Sequence, residues 1–341
     1  MSIVGAFDIH RRQLTFEYLD TVTGELKRGR VAPADREHLR EWLARFAGRA
    51  DAHFALEGCT GWRYVAEELA AAGITAHLAE PADTAALRGK KRHAKTDKTD
   101  TRHLRVHLMA GDLPECWIPP AHVLEARAVA RLYKDLLDER GAWHQRIAAT
   151  LFHQGVPVTA SMCTAQGRAA VPAMGLSAAG RQAVETGLRQ IDRLTGELDP
   201  LRRQLGMISR RQPGCAALRA AHFGVGAVTA VAIWAELGDV RRFGNSGDVV
   251  RHTGLDITVY SSDAKRSAGH LARQGPPLLR WALYESAKCA ARPAAPDYAY
   301  YTAVRTRRGA GLATVSVARK LARRCYHTLR DLGEEALRPA A

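Results

Sequence analysis

The chain opens with an unbroken apolar run, Ile3-Val4-Gly5-Ala6-Phe7, that ends in Asp8. A run without polar alternation predicts a strand covered on both faces, over Ile3–Ile9. Leu14, Phe16 and Tyr18 alternate with polar neighbours and predict a second strand, Leu14–Leu19. Thr23-Gly24-Glu25 predicts a turn into a third strand near Leu26–Val31. Leu39, Trp42, Leu43 and Phe46 recur at helical spacing within Glu37–Phe46. Phe54–Leu56 reads as a short strand, Trp62–Ala72 as a helix stopped by Gly73, and Ile74–Leu78 as a further strand. Strands interleaved with helices predict an α/β sheet with helices packed on it. Asp97–Met109 predicts a helix with Asp97 and Asp100 on one face, since residues three apart are neighbours there. Gly111, Pro114, Pro119 and Pro120 then punctuate the chain and suggest a first domain of residues 1–118.

The remainder reads as all-α. Leu124–Phe152 is one long helical stretch, and the small-residue segment Gly155–Pro172 reads as a loop. A second long helix carries the seam Val184, Leu188, Ile191, Leu194, Leu198, Leu201, Leu205 and Ile208, close to a heptad repeat. Residues 119–210 are therefore expected to form a helical coiled-coil arm, kinked near Gly196 and Pro200. Such an arm could join two subunits or pack as a hairpin on its own domain. Residues 211–341 are expected to be a third, mostly helical domain. Within it, Gly224 and Gly226 precede an apolar helix, Ala227–Leu237, and free N–H groups at such a turn can hold a phosphate. Tyr260–Gln274 reads as a polar, basic loop, and Leu278–Ala290 and Ala313–Leu329 read as helices.

The 46% hydrophobic content of the 341 residues supports buried cores and excludes wholesale disorder. The six cysteines are scattered without a CxxC spacing, which argues against a zinc site or a disulfide framework and fits a reducing, cytoplasmic setting. No signal peptide and no 18-residue apolar run is evident, so the chain is expected to be soluble, with no membrane partner. The formal net charge is +15, and from Arg251 onward 16 Lys and Arg face 7 Asp and Glu. Arg88, Lys90, Lys91, Arg92, Lys95 and Lys98 form one basic cluster; Lys265, Arg266 and Arg273 lie in a basic loop; Arg319, Lys320, Arg323, Arg324 and Arg330 give the last helix a basic face. Clusters of this density favour a polyanion, because neutralising phosphates releases condensed counterions. The plainer alternative is a solvated basic surface.

Acids set among these bases sharpen the picture. Asp8 and Glu57 end apolar runs, and Asp97 and Asp100 share a helical turn. Four carboxylates gathered at one point repel unless a cation sits between them. Hard oxygen ligands select Mg2+, with Mn2+ as the alternative. Two acids at strand ends and two on a helix are the supply that ribonuclease-H-like nucleases use to cut phosphodiesters. Singly, each acid has a structural reading: Asp97 as a helix cap, Asp100 as a partner of the helix dipole, Asp8 and Glu57 as polar strand ends.

Gly5-Ala6-Phe7-Asp8-Ile9-His10, Leu56-Glu57-Gly58-Cys59-Thr60-Gly61 and Lys95-Thr96-Asp97-Lys98-Thr99-Asp100 resemble the Asp-Glu-Asp-Asp transposases of the one-ten family of bacterial insertion sequences. The N-terminal domain of that family is similar to the junction resolvase RuvC. Phe223-Gly224-Val225-Gly226, Phe243 to Leu255, and Tyr260-Ser261-Ser262-Asp263 through Gly275 resemble its C-terminal transposase domain. The resemblance implies a tetrad of Asp8, Glu57, Asp97 and Asp100 holding Mg2+, and a nucleophilic serine at Ser262 that forms a covalent phosphoserine link to DNA. It further implies DNA partners (element ends and target), a structured guide RNA supplied by the element, a homo-dimer or homo-tetramer, and a cytoplasmic, nucleoid-associated bacterial location. Three departures are visible: Glu57-Gly58-Cys59-Thr60-Gly61 is one residue longer before its last glycine than the family's Glu-Ala-Thr/Ser-Gly, Thr101 follows Asp100 where the family often has Ala, and Ala272-Arg273-Gln274-Gly275-Pro276 replaces a Ser-Lys-x-Gly-Asn stretch. Two other functions use the same residues. A RuvC-like junction-resolving endonuclease would employ water as nucleophile, and a non-catalytic nucleic-acid-binding protein would keep the acids for structure.

Overall fold

The apolar run at the start of the chain becomes β1 (Ile3–Ile9), one of the two middle strands of a six-stranded sheet. The computed structural model describes residues 1–49, 51–87, 97–157, 162–257, 261–262, 265–266 and 269–339, without the side chains of residues 97–98, 261–262 and 265–266. The chain forms two compact units, Met1–Ile118 and Pro119–Ala341.

In the first unit β1 pairs antiparallel with β2 (Leu14–Asp20), which pairs antiparallel with β3 (Leu26–Val31). The chain then runs through α1 (Arg36–Leu43), whose first turn is capped by Asp35 accepting from the His38 amide. It returns as β4 (Ala52–Glu57), parallel to β1 on its other side. After α2 (Trp62–Ala71), β5 (Thr75–Ala79) extends the parallel part. Two further helices, α3 (Pro81–Leu87) and α4 (Asp97–Ala110), lead to the short antiparallel edge strand β6 (Glu115–Cys116). The sheet order is β3-β2-β1-β4-β5-β6. This mixed α/β arrangement is compatible with the ribonuclease-H-like fold implied by the sequence.

Strand alternation divides the unit into two cores. One face of the sheet carries Phe7, Phe16, Tyr18 and Phe54, packed on Trp42 and Phe46 from α1 and the 3₁₀ turn after it. Gly5 makes this stacking feasible: a Cβ there would lie 2.2 Å from the Phe54 ring. The opposite face is lined by the small side chains of Ala6, Ala55 and Ala79 together with Val4. Small residues let α4 approach closely, and Leu104 and Leu108 complete this second core. A charge also anchors α4: Arg105 donates from Nε to Oε1 of Glu17 at 2.8 Å, and both are buried. Glu17 is paired in register with Ala6 of β1.

The second unit is helical. It begins with α5 (Ala121–His153), α6 (Ala165–Ala170), α7 (Ala178–Arg211), α8 (Pro213–Ala221), α9 (Ala227–Leu237) and α10 (Ser246–Thr253). A small hairpin of β7 (Ser261–Ser262) and β8 (Lys265–Arg266) follows, then α11 (Pro277–Ala287), α12 (Tyr298–Arg308) and α13 (Ala310–Leu332). Its centre is α9, whose residues from Ala230 to Leu237 are all buried. Arg131 donates to the buried Glu236 at 2.8 Å, and Arg127 donates to the Ala235 carbonyl at 2.7 Å, so α5 is clamped onto α9.

Several expectations change here. The heptad-like seam of α7 is covered by the same chain: Val184, Leu188 and Ile191 pack with Ile147 and Leu151 of α5. α5 and α7 form a hairpin that also packs on α9, so the residues expected as a separate arm belong to the second unit. α7 continues as one helix past Gly196 and Pro200, both on its exposed side, where the carbonyl that proline leaves without an amide partner is open to solvent. Part of the predicted loop Gly155–Pro172 is α6, started by Thr164 accepting from the Gly167 amide at 3.1 Å. The predicted loop Tyr260–Gln274 contains the β7–β8 hairpin, held by backbone pairing without a hydrophobic face to betray it. α12 was also missed, having only Tyr301 and Val304 buried and so little periodic signal.

Replacing Glu17 by Ala strands Arg105 in the interior, and breaking such a buried pair is expected to cost about 3 kcal/mol. Urea unfolding followed by circular dichroism measures this. The double replacement Glu17→Leu with Arg105→Met should recover most of the loss, since apolar groups of similar size need no partner.

Candidate functional site

The parallel pairing of β1 with β4 sets Phe7 opposite Leu56. The next residues, Asp8 and Glu57, therefore stand side by side at the carboxyl ends of neighbouring strands. Alternation gives them the same face: Asp8 follows Val4 and Ala6, and Glu57 follows Ala55, all on the side covered by α4. α4 runs with its N-terminal turns toward this edge. His103 reaches the carbonyl of Thr84 in α3, just beyond β5, whereas Arg105 reaches Glu17 beside the middle of β1. Asp100 lies one turn before Leu104, on the packed side of the helix, next to the buried Thr101. Asp97 begins α4, and its side chain is outside the described residues. Among the described residues, no three His, Cys, Asp or Glu side chains are close enough to hold a metal ion.

Two neighbours of this edge had no role in the sequence reading. His10 Nε2 lies 3.0 Å from Oδ2 of Asp8, a contact that strand alternation from residue 8 to residue 10 could have suggested. Asp8 is only 15% exposed at its side chain, and the imidazole is one of the groups that cover it. Cys59 follows Glu57 on the loop into α2. Burial, then the Glu57 and Asp8 carboxylates, raise its thiol pKa above the ordinary value. Both carboxylates thus add to burial in keeping the proton on this thiol. The donor set at this edge consists of hard carboxylate oxygens, which fit a divalent cation such as Mg2+.

The remaining candidates divide among several places. Lys90, Lys91, Arg92 and Lys95 lie outside the described residues, and Lys98 sits in α4 with its side chain outside them. Ser262 pairs through its backbone with Lys265, and Ser261 with Arg266, which makes the serine the last residue of β7. Gly224 takes a left-handed φ of 87° and packs so tightly on α11 that a Cβ would lie 2.4 Å from the Ser286 carbonyl oxygen. Its glycine is explained by packing. Gly226 caps α9, its amide donating to Oγ1 of Thr229 at 3.0 Å. On α13, Arg324 makes a two-pronged ion pair with Asp297 at 2.7 and 2.8 Å, so it ties α13 to the start of α12. Lys320 lies 3.4 Å from the centre of the Tyr300 ring. Arg319 and Arg323 accompany it along the same helix, and Arg273 is exposed just before α11.

Comparison with known proteins matches the chain in two separate stretches. A DEDD transposase profile of IS110 type, described as Transposase, matches residues 6–157 and so takes in Asp8, Glu57, Asp97 and Asp100. The profile described as Transposase IS116/IS110/IS902 family matches residues 216–302, including Ser262. The chain belongs to the IS110 family of transposases. A Sinorhizobium fredii (strain NBRC 101917 / NGR234) protein that carries the name "Putative transposase y4rJ" is 29% identical over 242 residues. That match covers 64% of this chain and 60% of the relative's length. None of the described helices is long and apolar enough to cross a membrane.

The Cys59 thiol provides a test of the site. A raised thiol pKa leaves little thiolate at pH 8, so neutralising either carboxylate lowers that pKa and exposes more of the reactive form. Asp8→Asn or Glu57→Gln is expected to speed alkylation of Cys59 by iodoacetamide about two- to threefold at pH 8. Added Mg2+ should act in the same direction on the unaltered protein and not on the variants. Peptide mass spectrometry follows the reaction at this one cysteine, and rates indifferent to all three changes would separate the thiol from the acids.

Proposed function

We propose that the protein is a DNA transposase that cuts and rejoins strands of a mobile element through Ser262, with its acids holding divalent cations. The observation that carries this reading is the pairing of Asp8 and Glu57 on one face at adjacent strand ends, beneath the helix bearing Asp97 and Asp100. Family membership supports the rest of the assignment.

Asp8, Glu57, Asp97 and Asp100 would hold the ions, most simply Mg2+. Bound there, the ions would neutralise charge on the attacking and departing oxygens of a phosphodiester. His10, 3.0 Å from Asp8, orients that carboxylate. The Ser262 hydroxyl attacks phosphorus and loses its proton. One P–O bond of the DNA backbone breaks as the Ser262 Oγ–P bond forms, and the departing strand leaves with a hydroxyl. Attack by a hydroxyl of a second strand on the phosphoserine reverses the step, restores the serine and joins new ends. No external energy source is needed, because one phosphodiester is exchanged for another. The reaction requires hydroxyl and carboxylates at one phosphate, supplied by one chain or by two in a dimer or tetramer. The basic residues Lys265, Arg266, Arg273, Arg319, Lys320 and Arg323 suit a nucleic-acid backbone. A structured guide RNA would place sequence choice in base pairing and leave the protein to read backbone and shape.

The test combines purified protein, Mg2+, labelled DNA carrying the element junction, and the noncoding RNA that flanks the gene. A protein–DNA adduct that survives denaturation and maps to Ser262 is the expected product. Ser262→Ala should lower both adduct and cleavage by at least about 100-fold, as removal of a covalent nucleophile does. Asp8→Asn and chelation with EDTA should do the same, with added Mg2+ rescuing only the chelated sample. Cleavage without an adduct, undiminished in Ser262→Ala, would replace this mechanism with a water-using junction resolvase. Binding with no cleavage under any of these conditions would leave a nucleic-acid-binding protein.

A further inference from the structure

Beside the β7–β8 hairpin lies a cavity of about 540 Å³ that the catalytic scheme above does not use. One wall comes from the two segments that flank the hairpin, joined by an antiparallel bridge between Ile257 and Leu271. The other is the first half of α13, with Leu312, Val315 and Arg319. The cavity's size falls within the range of small-molecule sites, about 300–1,000 Å³. Its interior is apolar and open: Ile257 is 47% exposed and Leu312 is 53% exposed. Its rim is cationic, with Arg273 and Arg319, and among the described residues neither is ion-paired.

Backbone geometry marks the same place. Arg273 is the one non-glycine with positive φ, 53°, among the described residues. It is locked there from both sides. Its amide donates to the Gly254 carbonyl at 3.0 Å, and a Cβ on Gly254 or Gly275 would lie within 2.1 Å of a backbone oxygen across the contact. A long side chain held in a costly backbone conformation, in a segment that two close-packed glycines press against residues 252–254, is a feature found at ligand clamps. Nearby Arg280 points its guanidinium into the same segment, donating to the Thr253 carbonyl at 3.1 Å. The local field is therefore positive. A second, shallower depression continues along α13 from Ser316 and Arg319 to Lys320, Arg323 and Tyr300.

An apolar recess with two guanidinium groups at its mouth, neither ion-paired among the described residues, matches a nucleotide, which has one flat face to bury and one phosphate to hold. We propose that this cavity receives a single unpaired nucleotide of the DNA, its base against Ile257 and Leu312 and its phosphates against Arg273 and Arg319. The proposal rests on the DNA-cleaving reading of Ser262. Ser262 lies five residue steps after Ile257, a reach of at most about 18 Å. At 3.4 Å per step along a strand, the captured nucleotide is within about five positions of the phosphate that Ser262 attacks. Extruding that base, as enzymes acting on buried nucleotides do, would fix the register of the strand at the serine. The depression along α13 then carries the neighbouring phosphates.

Three fluorescein-labelled 24-base-pair duplexes of one sequence test this with the full-length protein: fully paired, with a single bulged thymidine, and with an abasic residue in place of that thymidine. The thymidine bulge is expected to bind about tenfold more tightly than the abasic bulge, the scale of one base stacked on a protein surface. Leu312→Trp, which fills the recess from an exposed position, should abolish that preference while leaving affinity for the paired duplex within about threefold. Arg319→Gln should weaken both bulged duplexes alike by reducing phosphate contact. Equal affinity for the two bulges, or a preference that persists in Leu312→Trp, would overturn the proposal. A stronger preference for a bulged RNA duplex of the same sequence would overturn its assignment to DNA. Serine-linked cleavage with no base preference would sink the cavity alone, whereas loss of all DNA binding would sink the transposase reading as well.

Discussion

Everything at the candidate site depends on one backbone pairing, that of β1 with β4. The two strands run parallel, so their carboxyl ends arrive at the same edge, and the register of Phe7 with Leu56 makes Asp8 and Glu57 neighbours. A slip of one residue would turn one carboxylate to the opposite face of the sheet. The two-sided core prevents such a slip. Phe54 must lie over the vacant side of Gly5, and Ala55 must stay under α4.

α4 is the second constraint. Its apolar residues settle it on a floor of alanines, but such a smooth contact sets position along the helix axis only loosely. The buried pair of Arg105 with Glu17 is directional and fixes that register. The energetics differ from those of the aromatic face. There, burial of large rings stabilises the fold without specifying one arrangement of polar groups. Here, an unpaired charge would be costly, so the helix has one permitted seat, and the acids at its first turn inherit that placement.

The second unit solves a different problem with similar means. α9 is almost wholly apolar, and its last carbonyls and Glu236 would be stranded in the interior without Arg127 and Arg131 of α5. The long hairpin of α5 and α7 is thereby made part of the body that carries the β7–β8 hairpin. Of the two uses the seam allowed, joining subunits or packing as a hairpin, Val184, Leu188 and Ile191 serve the second. Charge follows the same economy: Arg324 is tied to Asp297, while Arg319 and Arg273 remain at the mouth of a cavity.

The sequence by itself determined the strands and helices whose periodicity reflects burial, because a covered face leaves its spacing in the chain. It also showed the four acids at element ends, the basic clusters and the family. The close of the first unit after residue 118 could be seen in its glycines and prolines. Tertiary structure alone decided what depends on partners distant in sequence. The unbroken course of α7 through Pro200 follows from which side faces water, and the hairpin at Ser262 follows from backbone pairing that has no hydrophobic signature. The contact of His10 with Asp8, the effect of both acids on the Cys59 thiol, and the strained Arg273 at its cavity arise from register and packing. A linear pattern reports how much of a residue is buried, but its neighbours are chosen only when strands pair and helices dock.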